Sequence, residues 1–244
     1  MLVEFSKLFF CVVVFITTIE TKSLPKYIQK CSLKDPNAFS KCAVEVAMKA
    51  IPNIITGDKD YNIQKLNPLK IPLLQLDSNG LNLNLTNQLV TGIETVKFNT
   101  IKYDKTAGKF TLDMNFVHIM LEGQYSIGGK ILVLPISGNG DGYMDFKQCH
   151  LVFTFDLKPG KDGKLKVDNP DLETDFGGAT FHMNNLFNGN KQLGDELNKF
   201  LNDNWREIIK EFQDLVKKPM NALLKSVAAG ILDNLTQSDA FSDS

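Results

Sequence analysis

The chain has 244 residues, with 27 Lys and Arg against 28 Asp and Glu, and a formal net charge of −1. Near-neutrality excludes a nucleic-acid partner, because binding phosphates needs a basic field. The length allows a substantial core in one large domain or two small ones, and the composition is that of an ordinary globular protein.

At the N-terminus, Lys7 precedes an unbroken apolar run from Leu8 to Ile16 and a polar stretch ending near Ser23. This is the layout of a secretory signal peptide over residues 1–23, with cleavage expected after Ser23. The run is too short to cross a hydrocarbon core of roughly 30 Å, and no other uninterrupted apolar stretch reaches the roughly 20 residues that a spanning helix needs. A secreted, extracellular chain is therefore expected, with no stable membrane insertion. Residues 24–244 should form a single domain, since neither a linker nor a repeat divides them. Cys11 would leave with the signal segment, so Cys31, Cys42 and Cys149 remain. Cys31 and Cys42 flank the turn signal Asp35-Pro36-Asn37, and in an oxidising compartment they are expected to pair. Cys149 shares an alternation phase with Leu151, Phe153, Phe155 and Leu157, which predicts a buried, inert thiol.

The first element is a helix. Asp35 is a cap with Pro36 in the first helical position; Phe39, Ala43, Val46, Ala47, Ala50 and Ile54 then recur at helical spacing up to a stop at Gly57. Pro68 and Pro72 forbid a regular helix over 67–77, which reads as extended chain leading to the first strand. Between Leu81 and Val167 the period becomes two, as in Leu81, Leu83 and Leu85 or Phe110, Leu112, Met114 and Phe116, predicting half-buried antiparallel strands. A strand over 109–121 would be roughly 40 Å long at about 3.3 Å per residue, so the sheet should coil strongly. Gly123, Gly128-Gly129 and Gly138–Gly142 read as turns or bends, and Pro159–Gly163 as a hairpin.

The C-terminal third is helical again. Leu193, Leu197, Phe200, Leu201, Trp205, Ile208, Phe212 and Leu215 mark one face of a long helix, which Pro219 should bend or interrupt. Leu223, Leu224, Val227 and Ile231 continue the stripe to a polar tail from Gln237. One long helix beside a long curved sheet, without strand–helix alternation, defines an α+β wrap.

Catalytic and metal signatures are missing. The sequence has no Gly-x-Ser-x-Gly elbow, His-Glu-x-x-His or phosphate loop, and His118, His150 and His182 are widely spaced without a nearby second ligand. The expectation is a protein that is not an enzyme and carries no cofactor or metal. Two sequons, Asn84-Leu85-Thr86 and Asn234-Leu235-Thr236, make Asn84 and Asn234 candidate glycosylation sites in an exported chain. A stripe rich in Phe, Met and Leu suits an apolar pocket, although packing of helix on sheet alone accounts for most of it.

Several motifs then occur in one order. They are Cys31 and Cys42, Asn67–Pro72, Val90-Thr91-Gly92-Ile93, Gly123–Ile127, Gly129–Gly140, Leu186–Asp195, Phe200-Leu201-Asn202 and Asn204-Trp205. Together they resemble the insect takeout and juvenile-hormone-binding family over nearly all of residues 24–235. The resemblance implies a long C-terminal helix wrapped by a highly curved antiparallel sheet, as in lipid-binding modules of lipid-transfer proteins, with an elongated apolar tunnel between them. It implies extracellular binding of juvenile hormone or another terpenoid, fatty-acid-like or quinone-like molecule, with roles around hormone transport, feeding, rhythm or chemosensation. Hormone-binding members carry a second disulfide from sheet to long helix. Here Cys149 has no cysteine in that helix to meet, so the chain looks more like the takeout branch.

For such a carrier the expected tunnel lining is the inward strand phase, Phe110, Leu112, Met114 and Phe116, with the helix face of Leu197, Phe200, Leu201 and Ile208. His118 continues that strand phase and is the expected polar anchor. The partner is a small apolar ligand, and no protein partner is readable. A second possibility is a membrane-surface protein using the segment from Pro219 to Leu235 as an interfacial helix, but its polar face is not rich in Lys or Arg.

Overall fold

A computed structural model describes residues 22–78 and 80–243. The expected signal peptide thus lies outside the described residues except for Lys22 and Ser23. Lys22 Nζ donates to the carbonyls of Gly230 and Asp233, at 2.6 and 2.8 Å, and Tyr61 donates its hydroxyl proton to the Ser23 carbonyl.

The first helix, α1 (Pro36–Thr56), starts and stops at the predicted residues: the Asp35 carboxylate accepts from Ala38 N–H, and Gly57 closes the C-terminus at φ 88°. The Cys31–Cys42 disulfide ties its second turn to the preceding segment. Six strands follow in one antiparallel sheet: β1 (Leu69–Ser78), β2 (Leu81–Thr91), β3 (Lys97–Asp104), β4 (Lys109–Ile131), β5 (Leu134–Pro159) and β6 (Leu165–Met183). The spatial order is β1-β2-β4-β5-β6, with β3 paired to the other half of β4's edge. The segment expected to be only extended chain is therefore itself an edge strand. Pro72 is tolerated there because an edge can spare a donor.

The turn positions differ from expectation. Gly123, Gly128 and the Gly138–Gly142 run lie within β4 and β5, and the chain reverses instead at Leu132-Val133, where Leu132 has φ 53°. Close backbone approach explains the glycines of β5. A Cβ at Gly138 would sit 2.9 Å from the Leu186 Cα, at Gly140 2.8 Å from the Asn184 carbonyl, and at Gly142 2.7 Å from the His182 carbonyl. Residues 182–186 can cross β5 only because those side chains are missing.

The helical third breaks at a position where no break was expected, and Pro219 does not interrupt it. The chain leaves helix at Asn204, between α2 (Lys191–Asp203) and α3 (Trp205–Leu232), while Pro219 lies inside α3. Asn204 competes with the helix for its own backbone: its amide donates to the Phe200 carbonyl at 2.8 Å. At Pro219 the apolar stripe holds the helix together, with Phe212, Leu215 and Val216 packed on one core cluster and Met220 and Leu224 on another. A short α4 (Gln237–Ala240) ends the chain on a reciprocal Thr236–Asp239 capping box.

The sheet curls until both edges, β1 and β6, meet α3. A bare edge presents unpaired donors and acceptors, and β6 is covered along its length. Leu165 exchanges backbone bonds with Leu235 and Asn234, and Val167 N–H donates to the Asp233 carboxylate at 2.7 Å. Further along, two asparagines one helical turn apart on α2 imitate a neighbouring strand. Asn202 takes the Phe181 N–H and returns a bond to its carbonyl, at 2.8 and 2.9 Å; Asn198 does the same for Met183 at 2.9 and 3.0 Å. Truncating Asn202 to Ala strands both Phe181 groups. We expect it to cost about 1–3 kcal/mol, read in thermal unfolding as a drop of roughly 2–4 °C per kcal/mol.

Candidate functional site

The apolar interior runs from end to end as two main clusters. One lies under α1, between β3, the first half of β4, the second half of β5 and the last turns of α3. The other lies between α2, the first half of α3 and the opposite ends of β2, β4, β5 and β6. Phe146 packs against both.

An internal cavity of about 260 Å³ opens in the first cluster. Its walls are Ala43, Ala47 and Ile51 of α1, Phe98 and Ile101 of β3, Phe110, Leu112, Met114 and Phe116 of β4, Phe153 and Phe155 of β5, and Leu224, Ala228 and Ile231 of α3. Five alanines, Ala43, Ala47 and Ala50 on α1, Ala228 on α3 and Ala240 near the C-terminus, leave the space that larger side chains would fill. One end is packed with aromatic rings. Phe110 stacks on Phe155 at 5.1 Å, Phe39 meets Phe110 edge-on at 6.2 Å, and Tyr103 stacks on Phe241 at 5.5 Å. Tyr103 satisfies its hydroxyl on the Leu157 carbonyl, and burial raises its pKa. Phe241 is held there because the C-terminal tail is stitched to the disulfide segment: Ser242 N–H donates to the Cys31 carbonyl at 3.1 Å, and Lys30 Nζ to the Ser238 carbonyl at 2.6 Å.

The expected lining residues divide between the two clusters. Phe110, Leu112, Met114 and Phe116 lie in the cavity wall. Leu197, Phe200, Leu201 and Ile208 do not: they belong to the second cluster, where Leu197, Leu201 and Ile208 are buried against residues such as Tyr125, Ile127 and Ile136. The helical wall comes instead from α1 and from the part of α3 beyond Pro219. His118 also stands outside the cavity. The inward phase passes from Phe116 to Ile119 in β4, and from Cys149 to Phe146 in β5, across a kink at Val117 and Gln148, where Gln148 takes φ 49°. Gly177 on β6 lies under that kink, with its missing Cβ only 2.2 Å from the Gln148 amide oxygen. His118 is thereby turned outward, half-exposed, with Nδ1 3.3 Å from Asp145.

The other ionisable groups are also peripheral. His150 Nε2 is 2.9 Å from Asp113 on the outer face. Burial opposes ionisation of Asp113, but hydrogen bonds from Asn99 and His150 outweigh it and hold the carboxyl below its usual range. Among the described residues no three His, Cys, Asp or Glu side chains converge as a metal group. Cys149 is fully buried, and desolvation pushes its thiol up to about 11. We expect it to resist alkylation at neutral pH in the folded chain and to react only on unfolding, as thiol titration with and without denaturant would read. A wider cleft of about 340 Å³ on the outside is lined by Asn87, Glu122, Asp141, Tyr143 and Asn184 among others. It is shallow, carries the Glu122 and Asp141 carboxylates and is open to water, so the more enclosed apolar cavity is the site suited to a ligand.

The signature stretch 186–195 is architectural. Leu186 is 1% exposed and bridges to Gly138, and the Asn190 side chain caps α2 through Leu193 N–H at 3.2 Å. Tyr125, whose hydroxyl burial pushes up to about 12, donates to the Asn184 carbonyl beside it.

A curled antiparallel sheet closed by a long helix over an apolar cavity defines the class: an α+β binding fold with an all-but-apolar interior. The family model described as "Haemolymph juvenile hormone binding protein (JHBP)" matches residues 9–242, and the chain belongs to that family. It is 24% identical over 233 residues to the circadian clock-controlled protein daywake of Drosophila melanogaster, covering 86% of this chain and 87% of that one. The Drosophila yakuba daywake is 22% identical over 237 residues, with 91% and 89% covered. Among solved structures, Epiphyas postvittana Takeout 1 superposes with a TM-score of 0.72 at 27% identity, covering 84% of this chain and 93% of that one.

Proposed function

We propose that the protein is a secreted, non-enzymatic carrier that holds one small apolar molecule, of terpenoid, fatty-acid-like or quinone-like character, in the cavity beneath α1. The observation that carries this reading is the cavity of about 260 Å³ with a wall of aliphatic and aromatic side chains. Moving roughly 400 Å² of apolar surface out of water yields on the order of 10 kcal/mol gross, of which lost ligand freedom removes a good part. Secretion is supported by the Cys31–Cys42 disulfide, by membership of a family described from haemolymph, and by the apolar N-terminal run. Asn234 is exposed, while Asn84 is half-buried and accepts from Gln75. Asn234 is therefore the more open of the two sequons to a glycan.

A membrane-surface role is less well supported. No helix among the described residues is long and apolar enough to cross a membrane. In the segment from Pro219 to Leu235, Leu224, Val227, Ala228, Ile231 and Leu232 are already turned to the cavity. Native mass spectrometry of the secreted protein, followed by solvent extraction, tests the carrier reading. One apolar molecule per chain is expected. An empty chain that also refuses terpenoids, fatty acids and quinones would leave a fold without this function.

A further inference from the structure

Lys22 and Ser23 fall within the signal peptide expected from the sequence, yet both are built into the fold. The reason lies at the end of α3. A helix leaves its last carbonyls without donors, and its dipole favours a cation there. α3 has no basic residue in its last turn. The Gly230 carbonyl lacks even its ordinary helical donor, because the Asn234 N–H is taken by the Leu165 carbonyl of β6 at 3.1 Å. Lys22 supplies what is missing: its Nζ donates to the Gly230 carbonyl at 2.6 Å and to the Asp233 carbonyl at 2.8 Å. Tyr61 holds it in place, with its ring centroid 5.7 Å from Nζ and its hydroxyl donating to the Ser23 carbonyl at 3.0 Å. Gly230 in turn admits Tyr61, since a Cβ there would sit 2.4 Å from the Tyr61 carbonyl oxygen.

We propose that the signal peptide is removed at or before the Thr21–Lys22 bond, and that Lys22 stays in the exported chain as the C-terminal cap of α3. Thr17, Thr18 and Thr21 are small residues suited to such a cut, shortly beyond the apolar run that ends at Ile16. A cut after Ser23 meets the same rule in sequence but fits the fold worse. It would strand the Gly230 carbonyl and take away the acceptor of the Tyr61 hydroxyl. It would also place a charged α-amino group on Leu24, a residue of the cavity wall, next to the fully buried Pro25. The segment that Lys22 pins runs directly into that wall through Leu24 and Ile28, and the turn it caps carries Ile231 and Leu232 of the same wall. The cap therefore ties the N-terminal side of the cavity to its α3 side.

The cut is tested by sequencing the amine-labelled N-terminus of the full chain exported from insect cells. A first residue between Thr18 and Lys22 is expected, and a major species starting anywhere else overturns the proposed cut. The cap is tested by thermal unfolding of chains exported behind a foreign signal sequence that is cut directly before Ile19, so that the cut does not move with the variant. Lys22→Met keeps the stem and removes the charge. It should lower Tm by roughly 4–8 °C, the size of a well-placed cation at a partly buried helix end. Lys22→Arg should recover most of that loss, and a chain made to begin at Leu24 should lose at least as much as Lys22→Met. An unchanged Tm in Lys22→Met, or a loss that Lys22→Arg fails to recover, overturns the cap. Neither arm uses a ligand, so both outcomes stand apart from the carrier reading.

Discussion

Replacing Cys31 and Cys42 together by Ser should lower stability by between about 2 and 3 kcal/mol and speed ligand release. The first effect follows from chain entropy. The bridge spans a sequence separation of 11, and closing a loop of that size removes a little under ~3 kcal/mol of freedom from the unfolded chain. For a domain of this length the drop corresponds to roughly 4–12 °C in Tm. The second effect follows from position. Cys31 lies in the cavity wall, its carbonyl anchors Ser242, and its partner sits on α1. Cutting the bridge loosens three parts of the same wall: the segment carrying Gln29, the helix carrying Ala43 and Ala47, and the tail carrying Phe241. Calorimetry would read the first effect, and the dissociation rate of a bound apolar probe the second. A destabilised variant that releases its probe at the wild-type rate would show that the bridge braces the fold without framing the cavity.

The parts of this molecule that could be read from sequence are those where one local rule decides. Asp35, Pro36 and Gly57 bound α1 because capping and φ preferences act within a few residues. Period two identified the strands over Leu81 and Phe110 because each has one face in the core. The misread positions are those where a distant segment decides. Gly138, Gly140 and Gly142 look like a turn until residues 182–186 lie across them. The true turn at Leu132-Val133 is made of two apolar residues, with no glycine or asparagine to announce it. Pro219 does not interrupt α3, because both neighbouring stretches of the helix have a core to pack on. The kink that turns His118 outward needs Gly177 on another strand. The pairing of Asn198 and Asn202 with β6 has no local signal at all.

The candidate site shows the same division. The β4 wall follows from alternation, and the α1 stripe of Ala43, Val46 and Ala47 was visible at helical spacing. That it faces a cavity while Leu197 and Leu201 face a packed core depends on which ends of the sheet the helices meet, a long-range property. The clue that could have been used is the run of alanines: small residues on an amphipathic face leave volume, whereas Leu and Phe fill it.

Filling that volume should separate binding from stability. Met114 is 5% exposed, opposite Leu151 in the β4–β5 ladder, with its side chain in the cavity wall. Met114→Trp is expected to weaken ligand uptake by at least ~30-fold while costing no more than about 1–3 kcal/mol, since the extra ring can enter open space rather than overpack a full core. Leu201→Ala in the second cluster should show the reverse. It removes a side chain that is 2% exposed, so it should cost about 2–5 kcal/mol and leave the folded fraction binding as before. Titration with an apolar probe, normalised to folded protein, and denaturant unfolding together read both arms. If Met114→Trp binds normally, the ligand does not occupy the space beneath α1. If Leu201→Ala loses binding as well, the ligand extends past Phe146 into the second cluster, and the cavity is one end of a longer passage.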